Sequence, residues 1–415
     1  MNLAAIIKRN IKGFIFFILD KHAFFFIKEK PLPANRDEIQ KILVFEGGGI
    51  GDLLRIFPAI EAFHSNFPNA SISLMASPLS QGVLSLLPKM EILSEIIDYD
   101  IKGKHNSFLK KIALISSLRK CNFDLTYSPS RGEGMREHLL ISFLTGARHR
   151  VGFTIGSCGF LSTIRVEFKK EDIPIVRQNL DLLKAASLKT NNCNIHIEVP
   201  QKEMNAASEI LKRLESINSY PLITVHPGAL WNAKYRCWPV EKYISLVKRL
   251  LNEIHAKVII IGSKTETAAG ERIEREIQDK SVVSLSGKTD IPLMAAIIRL
   301  SHLFIGNDSG PLHIASAIGT PFIGIFTSTS PAQVLSNFRN GEILHKKLAC
   351  GPCYMHDPLF TPPCEETHKV PPCIDMITVE EVMNAVTRLL MKNSGARAQG
   401  IKNLHSLERM KENFI

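Results

Sequence analysis

KILVFEGGGIGD, residues 41–52, sets a five-residue mainly apolar run against a cluster of glycines and closes on an acid. A short apolar run bounded in this way reads as a strand. The stretch Leu53 to Phe63 that follows carries apolar residues at helical spacing. Strand, glycine turn and helix make the first βα unit of a doubly wound sheet. Gly47, Gly49 and Gly51 stand at every second position and do not match G-x-G-x-x-G, which disfavours a dinucleotide site. Asp52 falls at the carboxyl end of the strand, where open α/β sheets place their ligands. Capping the helix is its other possible role.

Outward from this unit the alternation continues. Strands are expected at Ser71 to Ala76, Glu95 to Asp98, Leu125 to Ser128 and Arg150 to Phe153, with helices at Phe108 to Arg119 and Arg136 to Leu144. After an amphipathic stretch from Lys202 to Ser216, Pro221 opens a second series. Its expected strands are Leu222 to His226, Ala256 to Ile261, Val282 to Leu285, Leu303 to Ile305 and Pro321 to Phe326. Helices are expected at Val240 to Asn252, Ala268 to Gln278, Ile291 to Arg299, Gly310 to Ala317 and Val379 to Met391. The pattern predicts an α/β protein with two Rossmann-like domains facing a central cleft, residues 35–203 and 204–392, between an N-terminal segment 1–34 and a polar tail 393–415.

The 415 residues suffice for two or three domains with real cores, and 45% hydrophobic with 22% charged residues is a globular composition. No apolar run reaches the roughly 18 residues of a membrane span. The net charge of +11 calls for an anionic partner. Nucleic acid is disfavoured, because no recognition motif appears and aromatic residues do not interleave with the basic ones outside the N-terminal segment. In that segment Lys8, Arg9, Lys12, Lys21, Lys28 and Lys30 face only Asp20 and Glu29 around two short apolar blocks. This suits a helix lying in an anionic membrane interface, with a buried helix or a signal as alternatives. Cys350, Cys353, Cys364 and Cys373 bunch in a Pro-containing stretch and are open to a structural zinc, disulfides or free thiols.

Two further segments carry chemistry. His226-Pro227-Gly228-Ala229 ends a strand and precedes Lys234, Arg236, Trp238 and Pro239, so its cations suit an anionic ligand. In Gly306-Asn307-Asp308-Ser309-Gly310-Pro311-Leu312-His313, Ser309 and Gly310 open a helix whose free N–H groups can cradle a diphosphate. His226 and His313 can also be satisfied core or capping histidines. Arg131, Arg136 and His138, after the Leu125 to Ser128 strand, are placed to meet an anionic acceptor or simply to be exposed. Asp98-Tyr99-Asp100 has the D-x-D form of a metal site but ends a strand of the first half, and reads as a solvated loop.

In order and separation, these segments resemble glycosyltransferase family 9, the ADP-heptose:lipopolysaccharide heptosyltransferases. The resemblance rests on Gly49 to Ile60, the His-Pro-Gly-Ala and Trp-Pro elements, Leu285 to Thr289, Gly306 to His313, Gly319 to Pro321 and the late Cys-x-Pro-Cys, and runs from about Lys41 to Met391. It implies a two-domain GT-B fold, a nucleotide-sugar donor held by the C-terminal domain, a lipid-linked glycan acceptor on the N-terminal domain, and inversion at the anomeric carbon. By the same resemblance Asp52 is the general base, while Arg236 or Lys234, with Asp308, Ser309, Gly310 and His313, meets the diphosphate and Glu266 the ribose. His226 joins the donor set, and Gly49, Gly51, Arg131 and Arg136 the acceptor set. No cofactor is expected for catalysis. The expected location is the inner face of the cytoplasmic membrane. A nucleotide-sugar epimerase and a non-catalytic sugar-nucleotide-binding protein are the alternatives.

Overall fold

The computed structural model describes residues 28–88, 90–100, 103–130, 135–154, 156–168, 172–190, 193–212, 221–229, 236–335, 340–353, 364 and 370–397. The expected membrane-associating segment lies almost wholly outside these residues, as does most of the polar tail. Among the described residues no helix is long and apolar enough to cross a membrane.

The described chain divides into two units, one comprising residues up to 81 together with 89–195, the other comprising 82–88 and the chain from 196 onward. In the first unit six strands form one all-parallel sheet: β1 (Lys41–Phe45), β2 (Ser71–Ala76), β3 (Leu93–Asp98), β4 (Leu125–Ser128), β5 (His149–Thr154) and β6 (Ile164–Glu167). Their order is β3-β2-β1-β4-β5-β6. The helices are α1 (Ile50–Asn66), α2 (Phe108–Lys120), α3 (Met135–Leu144) and α4 (Ile175–Ala185). A parallel sheet must be covered on both faces, which is why Ile42 to Phe45 are apolar without alternation and all buried. Leu43, Phe45 and Met75 pack with Tyr99, Leu118 and Ile141 in one cluster of this core.

The second unit repeats the plan. Helix α5 (Gln201–Lys212) precedes β7 (Leu222–His226), α6 (Val240–Ile254), β8 (Lys257–Ile260), α7 (Thr267–Ile277), β9 (Val282–Ser284), α8 (Ile291–Leu300), β10 (Leu303–Asn307), α9 (Gly310–Ile318), β11 (Phe322–Phe326), β12 (Gly341–His345) and α10 (Val379–Arg397). The sheet order is β12-β11-β10-β7-β8-β9, again wholly parallel. Ile223, Val225, Val258, Ile260, Ile305 and Ile323 form its core with Leu246 and Leu250 of α6 and Val382 and Val386 of α10. Both sheets therefore follow the 3-2-1-4-5-6 order of a dinucleotide-binding fold, each with a point where the strand order reverses.

Four of the elements named depart from the sequence expectation. β6, β12 and α4 are present where no element is anticipated, and β6 and β12 are the outermost strands on the same side of their respective sheets. The helix expected from Leu53 begins at Ile50, so Gly49 and not Asp52 is its N-cap.

Candidate functional site

In the first unit the order of strands reverses between β1 and β4, and the loop after β1 opens there. Asp52 stands in the first turn of α1, where its Oδ2 accepts the Gly49 N–H at 3.0 Å. Its Oδ1 lies 2.5 Å from Nη2 of Arg55, one turn on. The Arg55 side chain is buried at 7% exposure while that of Asp52 is 47% exposed, so the acid is presented to solvent by a buried cation. The turn is glycine for a local reason. A Cβ on Gly48 would lie 2.1 Å from Asp52 Oδ2, and one on Gly47 2.3 Å from Cε1 of His138, whereas a Cβ on Gly49 would meet open space.

Behind Asp52, at the end of β1, lies Glu46, only 3% exposed. Its Oε1 accepts the Gly48 N–H at 2.6 Å, and its Oε2 lies 2.7 Å from Ser80 Oγ. Burial, reinforced by the neighbouring charge of Asp52, pushes this carboxyl up to about 8, against weaker opposing effects of the Ser80 and Gly48 hydrogen bonds and of Arg55. His138 is no surface cation. It is 1% exposed and packed against Phe45 and Tyr99, and burial lowers it to about 4, so the imidazole is neutral and belongs to the core. Gly51 is likewise buried inside α1. Arg131 and the side chain of Arg136 lie outside the described residues.

The second unit reverses its strand order between β7 and β10. Here His226 ends β7, with Nδ1 3.0 Å from Ser309 Oγ and Nε2 3.5 Å from Glu266 Oε2. Glu266 closes the turn after β8, accepting the Ser263 N–H at 2.7 Å. Burial alone would raise its carboxyl, but the His226 and Ser263 contacts outweigh that and hold it at about 2. A Cβ on Gly228 would fall 2.1 Å from Glu266 Oε1, so this glycine too makes room for an acid. Asp308 is 3% exposed. Its Oδ2 lies 2.8 Å from Arg236 Nη2 and accepts from Thr329 Oγ1 at 2.6 Å, and its Oδ1 lies 3.6 Å from His313 Nε2. Burial opposes its charge, yet the Arg236 guanidinium, His313 and Thr329 together hold it well below the usual carboxylate range. Arg236 also donates to the Asp308 carbonyl.

Ser309 is the N-cap of α9 but makes no capping bond; its hydroxyl donates to Asn307 O instead, and Gly310 opens the helix. Buried polar atoms without a hydrogen-bond partner here include Arg236 Nε and Glu266 Oε1. A helix start, a cation and an acid with such atoms make a set able to take a phosphorylated, hydroxylated ligand. Lys234 lies outside the described residues.

Sequence reasoning missed Glu46, Arg55 and Asn307. Asn307 is wholly buried; its Oδ1 accepts from Trp238 N and Tyr243 Oη, each at 3.0 Å, and its Nδ2 donates to Pro227 O and Gly228 O. It ties the His-Pro-Gly segment to Trp-Pro, and its place beside Asp308 was the available signal. Arg55 was legible as an i,i+3 partner of Asp52. The disulfide alternative for the cysteine cluster is not met at three of its members. Cys350, Cys364 and Cys373 carry free thiols, and among the described residues no group of three or more side chains is placed to hold a metal. Burial, together with the neighbouring Cys353, Cys364 and Cys350, pushes the Cys373 thiol up to about 11. Asp100 turns back on its own loop, accepting the Gly103 N–H at 2.8 Å.

Two all-parallel six-stranded sheets of the same order, each with helices around it, are the architecture of a GT-B fold. The model of glycosyltransferase family 9 (heptosyltransferase) matches residues 112–361, and the chain belongs to that family. It is 27% identical over 294 residues to lipopolysaccharide heptosyltransferase 3 of Escherichia coli K12, covering 67% of this chain and 80% of that protein. The fold is shared with the solved ADP-heptose LPS heptosyltransferase II of E. coli (TM-score 0.65, 21% identity, 86% of this chain and 100% of that one). It is also shared with the family 9 glycosyltransferase of Veillonella parvula (TM-score 0.69, 17% identity, 88% and 100%).

Proposed function

We propose that this glycosyltransferase moves a heptose from an ADP-heptose-like donor to a lipid-linked saccharide of the lipopolysaccharide-core type, with inversion. The observation that carries the reading is the division of chemistry between the two reversal points: a solvent-presented carboxylate at one, and a cation, a helix start and an acid with open polar atoms at the other. Asp52 accepts the proton of the acceptor hydroxyl as that oxygen bonds to the anomeric carbon. The bond from that carbon to the diphosphate oxygen breaks in the same displacement, which inverts the centre. The departing diphosphate meets Arg236, Lys234 and the start of α9, and Glu266 takes the ribose hydroxyls. The names of the relatives supply heptose and lipopolysaccharide; Asp52, Arg236 and Glu266 supply the roles.

The same proposal puts the chain on the cytoplasmic face of the membrane, with residues 1–34 in the interface. Phe108 and Leu109 support it: at the start of α2 they are 77% and 76% exposed, beside Lys110 and Lys111.

Purified protein supplied with a panel of nucleotide sugars and a lipid acceptor tests the reading. Transfer from ADP-heptose is expected, and epimerised donor or binding without transfer would overturn it. Asp52→Asn keeps the contact to the Gly49 N–H, so donor binding should stay near normal while turnover falls by roughly 10²- to 10⁴-fold. Near-normal turnover with the fold intact would place the base elsewhere.

A further inference from the structure

We infer that Glu46 is carried as a neutral carboxylic acid and acts as a positioning residue, pinning the glycine turn on which Asp52 is set. The inference rests on the reading of Asp52 as the base. It comes from counting protons around a buried ring. Ser80 Oγ lies 2.7 Å from Glu46 Oε2, 2.9 Å from Ser77 O and 3.2 Å from Ser77 Oγ, and Ser77 Oγ donates to Gly48 O at 2.7 Å. The Gly48 N–H donates to Glu46 Oε1 at 2.6 Å, which closes the ring.

Two hydroxyl protons serve these oxygens. If Glu46 is ionised, Ser80 must donate to it, Ser77 donates to Gly48 O, and the two hydroxyl oxygens face each other with no proton between them. If Glu46 is protonated, it donates to Ser80, Ser80 donates to Ser77, Ser77 to the Gly48 carbonyl, and Gly48 back to Glu46. Every contact except Ser80 Oγ to Ser77 O is then a made bond, one more than in the ionised state, and the chain runs in one direction. Ser80 is wholly buried, so water does not supply the missing proton there.

The surroundings agree. The ionisable groups facing the ring are Asp52 and Arg55 of α1 and His138 of α3; the Ser77 to Ser80 segment adds none. Arg55 is committed to Asp52, His138 is neutral, and Asp52 opposes a second negative charge beside it. Burial and Asp52 put the ionisation of Glu46 near pH 8. Above that pH the ring loses one bond and the turn under Asp52 loosens, so turnover falls on the alkaline side.

Carboxyl-labelled glutamate followed by ¹³C NMR in the full-length protein reads the titration directly. One glutamate is expected to ionise near pH 8, apart from Glu137, Glu241, Glu266 and Glu381, all shifted downward. Glu46→Gln should remove that resonance and keep turnover within a few-fold, since its Nε2 donates to Ser80 and its Oε1 accepts from Gly48. It should also abolish the fall in kcat above about pH 8 expected of the wild type. No glutamate titrating above pH 7 in the wild type overturns the inference, whether or not the variant folds. So does an unchanged alkaline limb in folded Glu46→Gln. If Asp52→Asn retains turnover, the base reading fails, but the Glu46 resonance and its loss in Glu46→Gln remain to decide the protonation state.

Discussion

The two reversal points share strand order and glycine-lined acids, yet their electrostatics run in opposite directions. At the first, Glu46 is buried beside another carboxylate and its ionisation is pushed up to about 8. At the second, Asp308 is as deeply buried but lies 2.8 Å from a guanidinium and is held far down. Burial raises both; the sign of the neighbouring charge decides the outcome. On the proposed reading, the reversal point of the first unit carries the proton acceptor, after β1, and that of the second the anion-receiving set, after β7 and β10.

The largest expected effect breaks the second half of this contrast. Arg236→Met removes the cation and leaves the Asp308 charge buried. Taking away one partner of a buried pair costs about 3–5 kcal/mol of stability, though the 18% exposure of the Arg236 side chain favours the lower end. Donor binding should weaken by roughly 1–3 kcal/mol as well, the scale of a lost charge-assisted contact. Adding Asp308→Asn should restore much of the stability but not the binding, as denaturant titration and calorimetry would reveal. If the double variant is as unstable as the single one, the pair is not what holds this loop.

How much of this was legible depended on where each residue sits. β1 and β7 were readable because strands buried on both faces are continuous apolar runs. β6 and β12 were not: at the outer edge of each sheet they are only partly buried, and Ile-Arg-Val-Glu and Gly-Glu-Ile-Leu-His lack such a run. At the sites, Asp52, His226, Arg236 and Asp308 stood out by residue type and motif. Glu46 did not, because its chemistry comes from Ser77 and Ser80, some thirty residues away in sequence and brought under the turn by β2 pairing with β1. The start of α1 was misplaced for a related reason: glycines suggest a loop, while Gly51 is helical and buried.

A smaller effect tests whether the two glycine-lined acids are separable. Gly48→Ala and Gly228→Ala each put a methyl carbon 2.1 Å from a carboxylate oxygen, of Asp52 and Glu266 respectively. Each acid must move, and a displacement near 1 Å costs on the order of 10²-fold when a reacting group is misplaced. Gly48→Ala should therefore lower kcat by roughly that factor and leave donor affinity nearly unchanged. Gly228→Ala should act on donor affinity first. Identical profiles for the two variants would mean that the halves do not divide the work.

A last effect is thermodynamic and sharpens the contrast by its sign. Glu46 is raised from 4.5 to about 8, so between those values the folded protein holds a proton that the unfolded chain has released. Its contribution is fully present below pH 4.5 and declines as pH rises toward 8. Glu266 is lowered from 4.5 to about 2, so its contribution is present above 4.5 and declines as pH falls toward 2. Each slope is at most about 1.4 kcal/mol per pH unit. Urea titrations of the wild type, Glu46→Gln and Glu266→Gln across pH separate the two. Relative to Glu46→Gln, the wild type should lose stability as pH rises from 4.5 to 8; relative to Glu266→Gln, it should lose stability as pH falls below 4.5. A difference curve of the same sign in both comparisons would mean that the neighbouring charges do not set the two acids apart, and the opposition between the reversal points would fall with it.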